Sequence, residues 1–321
     1  MNLILVTGGC GFIGANFIQY MFKAYPHITI VNLDKLTYAG NPDNLKNIAQ
    51  NPQYHFIKGD ICDQALVTTL FQKYSFDAVV HFAAESHVDR SITGPEIFII
   101  TNVLGTQILL ETAKAHWQNQ FENKRFLYIS TDEVYGSLED KGYFTEQSPI
   151  SPNSPYSASK AGADLLVRSY VHTFGFPGLV TRCSNNYGPY QHVEKLIPLM
   201  ISNAFHDKPL PVYGDGKNVR DWIFVEDHCR AIDLVLQKGK VGEVYNIGGN
   251  NEWQNIQIVE MILSILNKPK SLIHYVKDRL GHDRRYAIDA SKIFQELGWQ
   301  PQTEFKLGLQ NTIQWYLPML H

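Results

Sequence analysis

Two neighbouring acidic residues follow an apolar segment of the chain and are well suited to proton transfer. Residues 126–129 are all apolar or aromatic, and Ser130 leads from them into Thr131, Asp132 and Glu133. At the carboxyl edge of a parallel sheet, where α/β folds bind ligands, such a pair could give one proton to a substrate and take another from it. Thr and Asp also commonly open helices, so these residues alone are equally compatible with a helix cap.

A tyrosine and a lysine four residues apart form a second candidate pair. Tyr156 and Lys160 follow Pro155, which suits the first turn of a helix. A spacing of four places both side chains on one helix face. A nearby ammonium group favours the phenolate, so the pair predicts that Tyr156 acts as a base near neutral pH. Ordinary helix-surface packing is the alternative, because this spacing is common by chance.

The N-terminal glycines predict a dinucleotide site. Gly8, Gly11 and Gly14 follow a predicted strand at 3–7 and open a predicted helix, which is the context in which glycines let a backbone approach a pyrophosphate. Asp34 lies 20 residues beyond Gly14. Its carboxylate can accept both ribose hydroxyls of NAD and would repel the 2′-phosphate of NADP. A plain turn with a surface aspartate is the alternative interpretation.

These side chains must be positioned by an alternation of strands and helices. Apolar runs predict strands at 3–7, 28–34, 55–58, 78–82, 125–130 and 178–182. Helical patterns between them include 12–25, 65–73 and 98–116. The alternation indicates an α/β fold, a Rossmann-type doubly wound parallel sheet with a smaller mixed α/β substrate domain.

The second half of the chain is less regular. Apolar segments at 222–225 and 243–247 read as strands that return to the first sheet. We therefore predict a cofactor domain formed by residues 1–181 with returning segments near 216–247. Residues 182–215 and 248–321 form the predicted substrate domain.

Composition excludes several classes of protein. A net charge of −3 gives no electrostatic footprint for nucleic acid or an anionic membrane. The four cysteines form no CxxC pair, which indicates free thiols in a reducing compartment rather than a disulfide framework or zinc site. No signal sequence is recognised, and no apolar run approaches the roughly 20 residues that span a bilayer. A cytoplasmic protein is the expectation.

Six further motifs carry a resemblance that covers essentially the whole chain. They are residues 32–41, 83–92, 130–136, 183–190, 194–198 and 281–289. With the glycine loop and the Tyr156/Lys160 pair, they resemble the extended short-chain dehydrogenase/reductase superfamily, and most closely its nucleotide-sugar 4,6-dehydratases that act on dTDP-linked glucose. Related sugar-nucleotide 4-epimerases share the glycines and the Tyr/Lys pair but typically lack two acids after the threonine.

The resemblance implies a role for each catalytic residue. Tyr156 takes the proton of the sugar 4-hydroxyl while a hydride passes from C4 to NAD, and Thr131 hydrogen-bonds the same oxygen. Glu133 then removes the acidified C5 proton and Asp132 protonates the departing C6 hydroxyl. The hydride finally returns to C6 and a proton to C5. Lys160 holds the nicotinamide ribose. Asp132 must start protonated and Glu133 ionised, so their surroundings must push their pKa values apart. Consecutive strand residues point to opposite faces, so both acids must lie in the turn beyond the strand.

The same resemblance implies two sets of binding residues. The cofactor set is Gly8, Gly11, Phe12, Ile13, Gly14, Asp34, Lys35, Thr37, Asp60, Ile61, Phe82, Ala83, Ala84, Ser86, Thr101, Tyr156, Lys160 and Asn186. The substrate set is Ser86, Thr131, Asn185, Lys195, Leu196, Pro211, Tyr213, Arg220, Asn255, Arg279 and His282. Arg220, Lys195 and Arg279 would neutralise the diphosphate. No metal site is predicted, because no second His or Cys falls at a ligand spacing from His282.

Several points stay open. A UDP-sugar 4,6-dehydratase or 4-epimerase and, more remotely, a non-catalytic NAD-binding regulator are alternatives, and thymine differs from uracil by one methyl group. The resemblance implies rhamnose or another deoxysugar as the end product. It also implies a homodimer in which helices near 98–116 and 158–173 pair across a two-fold axis. Residues 191–194 depart from the usual Gln-Phe-Pro-Glu, which puts that loop's conformation in doubt.

Overall fold

A computed structural model describes residues 1–118 and 120–320. Seven strands form one sheet: β1 Leu3–Thr7, β2 Thr29–Asp34, β3 Tyr54–Lys58, β4 Ala78–His81, β5 Arg125–Thr131, β6 Gly178–Cys183 and β10 Val244–Ile247. Their order is β10-β6-β5-β4-β1-β2-β3, and each neighbouring pair is parallel. The predicted Rossmann-type doubly wound parallel sheet is confirmed.

Helices cover both faces of this sheet. The α-helices of the described residues, in chain order, are α1 Phe12–Ala24, α2 Gln64–Lys73, α3 Val88–Thr93, α4 Glu96–Phe98, α5 Gly105–Trp117, α6 Pro155–Phe174, α7 Leu196–Phe205, α8 Val225–Lys238, α9 Asn255–Ile265, α10 Ser291–Leu297 and α11 Phe305–Leu320. The main sheet is covered by α1, α8 and α10 on one face and by α2, α5 and α6 on the other. Alternate residues of β1 pack on opposite faces: Ile4 lies against α1 and α8, and Leu5 against α2, α5 and α6. Burial on both faces explains why these strands read as continuous apolar runs.

Helices α4 and α5 are joined by a π-helical stretch, Ile99–Leu104, into one helix over Glu96–Trp117. By length and hydropathy this 22-residue helix could cross a membrane, which corrects the expectation that no apolar segment approaches that length. Half of its most apolar window is buried inside the protein, as in the core helix of a soluble fold.

A second layer of structure lies beyond β6. It contains β7 Asn185–Tyr187, β8 Leu210–Tyr213, β9 Val219–Phe224, β11 Glu252–Gln254 and β12 Ile273–Val276. These strands form a three-stranded sheet in the order β11-β9-β7 and a two-stranded sheet of β12 and β8. Side chains of α7, α9 and α11 build a separate apolar core against them.

The prediction for 222–225 is wrong in one respect. This segment belongs to β9, which pairs with β7 and β11 rather than returning to the main sheet. The edge beside β6 is occupied by β10, so the predicted return of 243–247 is confirmed. Gly249, just after β10, packs so tightly on β9 that a Cβ there would lie 1.8 Å from the Trp222 carbonyl oxygen. The full division into two domains stays a prediction.

The fold brings the candidate side chains to one edge of the main sheet. The glycine loop follows β1, Asp34 ends β2, Thr131 ends β5 and Cys183 ends β6. Helix α6 starts beside them because Ser154 caps it reciprocally with Ser157, with Pro155 at its first position. The carboxyl ends of the strands therefore meet the start of the helix that carries Tyr156 and Lys160.

Candidate active site

The strand β5 stops at Thr131, and the two acids lie in the 3₁₀ turn that follows, Asp132–Tyr135, here called the acid turn. The Thr131 hydroxyl accepts a hydrogen bond from the Glu133 amide and donates one to Asp132 Oδ1, both over 3.3 Å. Thr131 therefore caps this turn, as the cap interpretation required. The turn also places both acids on the wall of one cleft. This placement is the one required if both acids act on a single substrate.

The two acids have different electrostatic surroundings. Asp132 is 1% exposed, and burial together with the neighbouring Glu133 charge raises its pKa well above the usual range. Among the described residues, Asp132 Oδ2 has no hydrogen-bond partner. Burial also raises the pKa of Glu133, but the cations Arg220, Lys195 and Arg279 oppose this shift. These pKa shifts favour a protonated Asp132 beside a more readily ionised Glu133.

Tyr156 and Lys160 both line the same cleft from α6. The predicted activation of the Tyr156 phenol by Lys160 is not found in this arrangement. Burial, followed by the charge of Glu133, raises the pKa of Tyr156 well above 10. The Lys160 ammonium group donates to the Ile129 carbonyl oxygen over 2.6 Å and lies 4.3 Å from the centroid of the Tyr128 ring.

At the nucleotide end, the glycine loop lies close to the end of β4. Gly8 has a φ of +72°, and a Cβ there would be 2.6 Å from the Ala83 nitrogen, so only glycine fits. Asp34 accepts hydrogen bonds from the Cys10 and Leu36 amides, each over 2.8 Å. The next residue, Lys35, pairs with Asp60 over 2.7 Å.

Three cations approach the cleft from the second layer of structure. Lys195 Nζ donates to the Ser86 carbonyl oxygen over 2.9 Å, which joins the two sides of the cleft. The Arg220 guanidinium lies 4.2 Å from the centroid of the Tyr286 ring and donates to the Asp283 carbonyl oxygen. Arg279 Nη2 donates to an oxygen of Asp89 over 3.1 Å. Positive charge is therefore concentrated opposite the glycine loop.

Every site residue predicted from the sequence lines this one cleft, whose cavity volume is about 480 Å³. The structure adds Tyr286, Asp283, His87, Glu194 and Cys183 to its lining. All five fall inside or at the edge of motifs 83–92, 183–190, 194–198 and 281–289. Those motifs could therefore have been used to predict these residues as part of the site.

The unusual loop at 191–194 also borders the cleft. The His192 ring lies edge-on to Tyr38, with ring centroids 5.6 Å apart. Its Nδ1 is 3.7 Å from Glu194 Oε2, and the same carboxylate is 3.4 Å from His87 Nε2. His192 thus supplies an aromatic contact at the position where related chains carry phenylalanine.

Lys160 gives a pH-dependent test of the site. Burial lowers its pKa from 10.5 to about 8. Between these values the unfolded chain binds more protons than the folded protein, so this residue makes the free energy of unfolding rise with pH, by up to about 3 kcal/mol. In urea titrations we expect wild type to gain unfolding free energy relative to Lys160→Met between pH 7.5 and pH 9.5. Parallel curves would show that Lys160 keeps an ordinary pKa.

Comparison with known proteins identifies the family. A protein-family model described as GDP-mannose 4,6 dehydratase matches residues 5–312. A dTDP-glucose 4,6-dehydratase of Xanthomonas campestris pv. campestris is 57% identical over 326 residues, which cover 98% of this chain and 92% of that protein.

Solved structures agree with this family. A dTDP-glucose 4,6-dehydratase from Bacillus anthracis in complex with NAD has a TM-score of 0.91 and 52% identity, covering 98% of this chain and 96% of that one. The enzyme of that name from Streptomyces venezuelae, also with NAD bound, has a TM-score of 0.92 and 49% identity with the same coverage. The chain belongs to the dTDP-glucose 4,6-dehydratase family of nucleotide-sugar dehydratases.

Proposed function

We propose that this protein is a hydro-lyase that converts dTDP-glucose into dTDP-4-keto-6-deoxyglucose with a bound NAD. The observation that carries this proposal is the meeting of two catalytic pairs in one cleft: Tyr156 with Lys160, and Asp132 with Glu133. The first pair suits oxidation of an alcohol, and the second suits elimination of water from the ketone that results. A 4-epimerase needs only the first.

The cleft fits the cofactor at its nucleotide end. Among the described residues, the only heavy atom within 4 Å of a Cβ built at Gly11 is the Gly8 oxygen, at 3.3 Å, so this stretch of backbone is open to a pyrophosphate. Asp34 would bind the adenosine ribose, and Lys160 the nicotinamide ribose. Bound NAD would supply the hydride chemistry, that is, removal of a hydride from C4 of the sugar and its return to C6.

The protein's own residues handle the protons. Burial raises the pKa of Tyr156 in the protein alone, but the positive charge of oxidised nicotinamide would favour the phenolate. As the phenolate, Tyr156 takes the proton of the C4 hydroxyl, and Thr131 hydrogen-bonds the same oxygen. The C4 ketone acidifies the C5 hydrogen, which Glu133 removes as a carboxylate stabilised by the neighbouring cations. Asp132 gives its proton to the C6 hydroxyl as water leaves, and Glu133 gives a proton back to C5 when the hydride is returned to C6. Its raised pKa keeps that proton available at neutral pH.

The cations would hold the substrate's diphosphate. Arg220, Lys195 and Arg279 carry the charge, and Arg279 would exchange its contact with Asp89 for a phosphate oxygen. Asn255 Oδ1 is buried without a hydrogen-bond partner among the described residues, so it can accept one from the ligand. Tyr213 and Pro211 line the same end of the cleft, where the base would lie.

The activity is tested by product analysis with dTDP-glucose and UDP-glucose, using wild type and Asp132→Asn. We expect wild type to form the 4-keto-6-deoxy product from dTDP-glucose preferentially. Asn has the size of Asp but no carboxyl proton, so the variant should form product at least about 100-fold more slowly. Oxidation at C4, read from the absorbance of reduced cofactor, should continue.

The matched control is Asp140→Asn, a charge removal at an exposed position, which should leave turnover unchanged. Equal loss of oxidation and product formation in Asp132→Asn would contradict its role as the acid. A galactose-configured product without dehydration would identify an epimerase instead.

We further infer that the protein is a homodimer and acts in the cytoplasm. The helix of Glu96–Trp117 leaves Ile97, Ile100 and Leu104 between 37% and 47% exposed, and Leu165 on the adjacent α6 is 48% exposed. Such an apolar face on two neighbouring helices supports a helix-bundle interface. The four cysteines are free thiols, which supports a reducing compartment.

The dimer is tested with the double variant Leu104→Lys/Leu165→Lys. Two buried charges on each subunit would oppose association, so sedimentation should show monomer where wild type shows dimer. Leu307→Lys is the control, because Leu307 on α11 is equally exposed, at 52%, but lies outside this face. A wild-type protein that sediments only as monomer at micromolar concentration would contradict the inference.

A further inference from the structure

A buried ion pair lies directly behind the two catalytic pairs. Arg182 of β6 is 1% exposed and Asp164 of α6 is fully buried. The guanidinium donates from Nε and Nη2 to the two carboxylate oxygens, over 2.8 and 3.0 Å. This bidentate geometry fixes both orientation and distance. It fastens α6 to the main sheet one helical turn beyond Lys160.

The same guanidinium reaches the acid turn. Arg182 Nη1 donates to the Tyr135 hydroxyl over 2.9 Å, and this hydroxyl donates in turn to Asn246 Oδ1 over 2.7 Å. Asn246 has a fixed amide orientation, because its Nδ2 donates to the Phe144 and Asp289 carbonyl oxygens. Burial raises the pKa of Tyr135 to about 12, so the phenol keeps the proton that it donates.

Tyr135 is the last residue of the acid turn, three positions after Asp132. Its side chain points away from the cleft, since it is buried with Val134, Ala161 and Ile288. The chain of contacts from Asp164 through Arg182 to Tyr135 therefore connects the helix of Tyr156 and Lys160 to the turn of Asp132 and Glu133. Both pairs must act on adjacent carbons of one sugar, so their relative position decides whether the second step can follow the first.

We propose that the Tyr135 hydroxyl is a positioning group that, through Arg182 and Asp164, holds the acid turn in register with the Tyr156/Lys160 pair. The inference rests on the proposed function and concerns its second half, the elimination. Tyr135 touches no substrate in this role. It acts by fixing where Asp132 and Glu133 stand relative to a sugar already bound for oxidation.

Tyr135→Phe tests this, because it removes one oxygen and keeps the ring that stacks on Phe144 with centroids 5.1 Å apart. Single-turnover experiments with dTDP-glucose should show oxidation within about threefold of wild type. Elimination, measured as solvent deuterium entering C5 and as product, should slow by about 10- to 100-fold, the cost of a displacement near 1 Å. Reduced cofactor should accumulate, and KM should change little.

Tyr187→Phe is the matched control, since Tyr187 is equally buried and its hydroxyl donates to the Phe305 carbonyl oxygen outside the cleft. It should affect the two steps equally or not at all. Asn246→Ser, which removes the acceptor of the Tyr135 proton, should reproduce the selective loss if Tyr135→Phe folds poorly. A crystal structure of Tyr135→Phe should show the acid turn displaced relative to α6.

Proportional loss of both steps in Tyr135→Phe, or an unchanged elimination rate with an undisplaced turn, would overturn the positioning role. Failure of the proposed function is distinguishable, because wild type would then form no keto-deoxy product at all. In that case the crystal structure of Tyr135→Phe still tests the positioning role, because it shows whether the acid turn is displaced relative to α6.

Discussion

In the proposed reaction, two carboxyl groups that are adjacent in sequence, Asp132 and Glu133, have to face the same small substrate, and the geometry of the cleft meets this requirement. In an extended strand they would point to opposite sides of the sheet. β5 therefore ends at Thr131, whose hydroxyl bonds both Asp132 and the Glu133 amide. The resulting turn is both a capped helical turn and a wall of the cleft, so the structural and the chemical roles of Thr131 are compatible.

The same turn explains how two similar acids can take different roles. Asp132 is buried beside a like charge, and both effects favour its neutral form. Glu133 is also desolvated, but it lies in the field of the cations that would bind the diphosphate. Substrate binding and acid–base assignment are thus connected in the proposed reaction, because the cations that would hold the phosphates also stabilise the Glu133 carboxylate that would act at C5.

Sequence reasoning succeeded where a local pattern fixes a local structure. The glycine loop, Asp34 and the Pro155-started helix each depend on residues close in sequence, and each was found where it was predicted. The prediction placed segment 222–225 in the wrong sheet, because an apolar run does not specify its partner strand. In the structure β10 occupies the edge beside β6, and β9 pairs with β7.

The sequence could not predict the direction in which a side chain points or the contacts between residues that are distant in sequence. The i,i+4 spacing placed Tyr156 and Lys160 on one helix but could not show that the ammonium group points to the Ile129 carbonyl oxygen. The sequence also could not show that the Tyr135 hydroxyl donates a hydrogen bond to Asn246, 111 residues away. In sequence, Tyr135 resembles any tyrosine of a protein core. Such contacts depend on the tertiary fold, and no sequence motif predicts them.

In the proposed reaction, oxidation at C4 and reduction at C6 are two halves of one turnover in this cleft. The most direct measurement is the fate of deuterium placed at C4 of dTDP-glucose, followed by NMR or mass spectrometry of the product. We expect the label at C6 of the 4-keto-6-deoxy sugar, because the same hydride that leaves C4 is returned to C6. A product whose C6 carries no deuterium would contradict it.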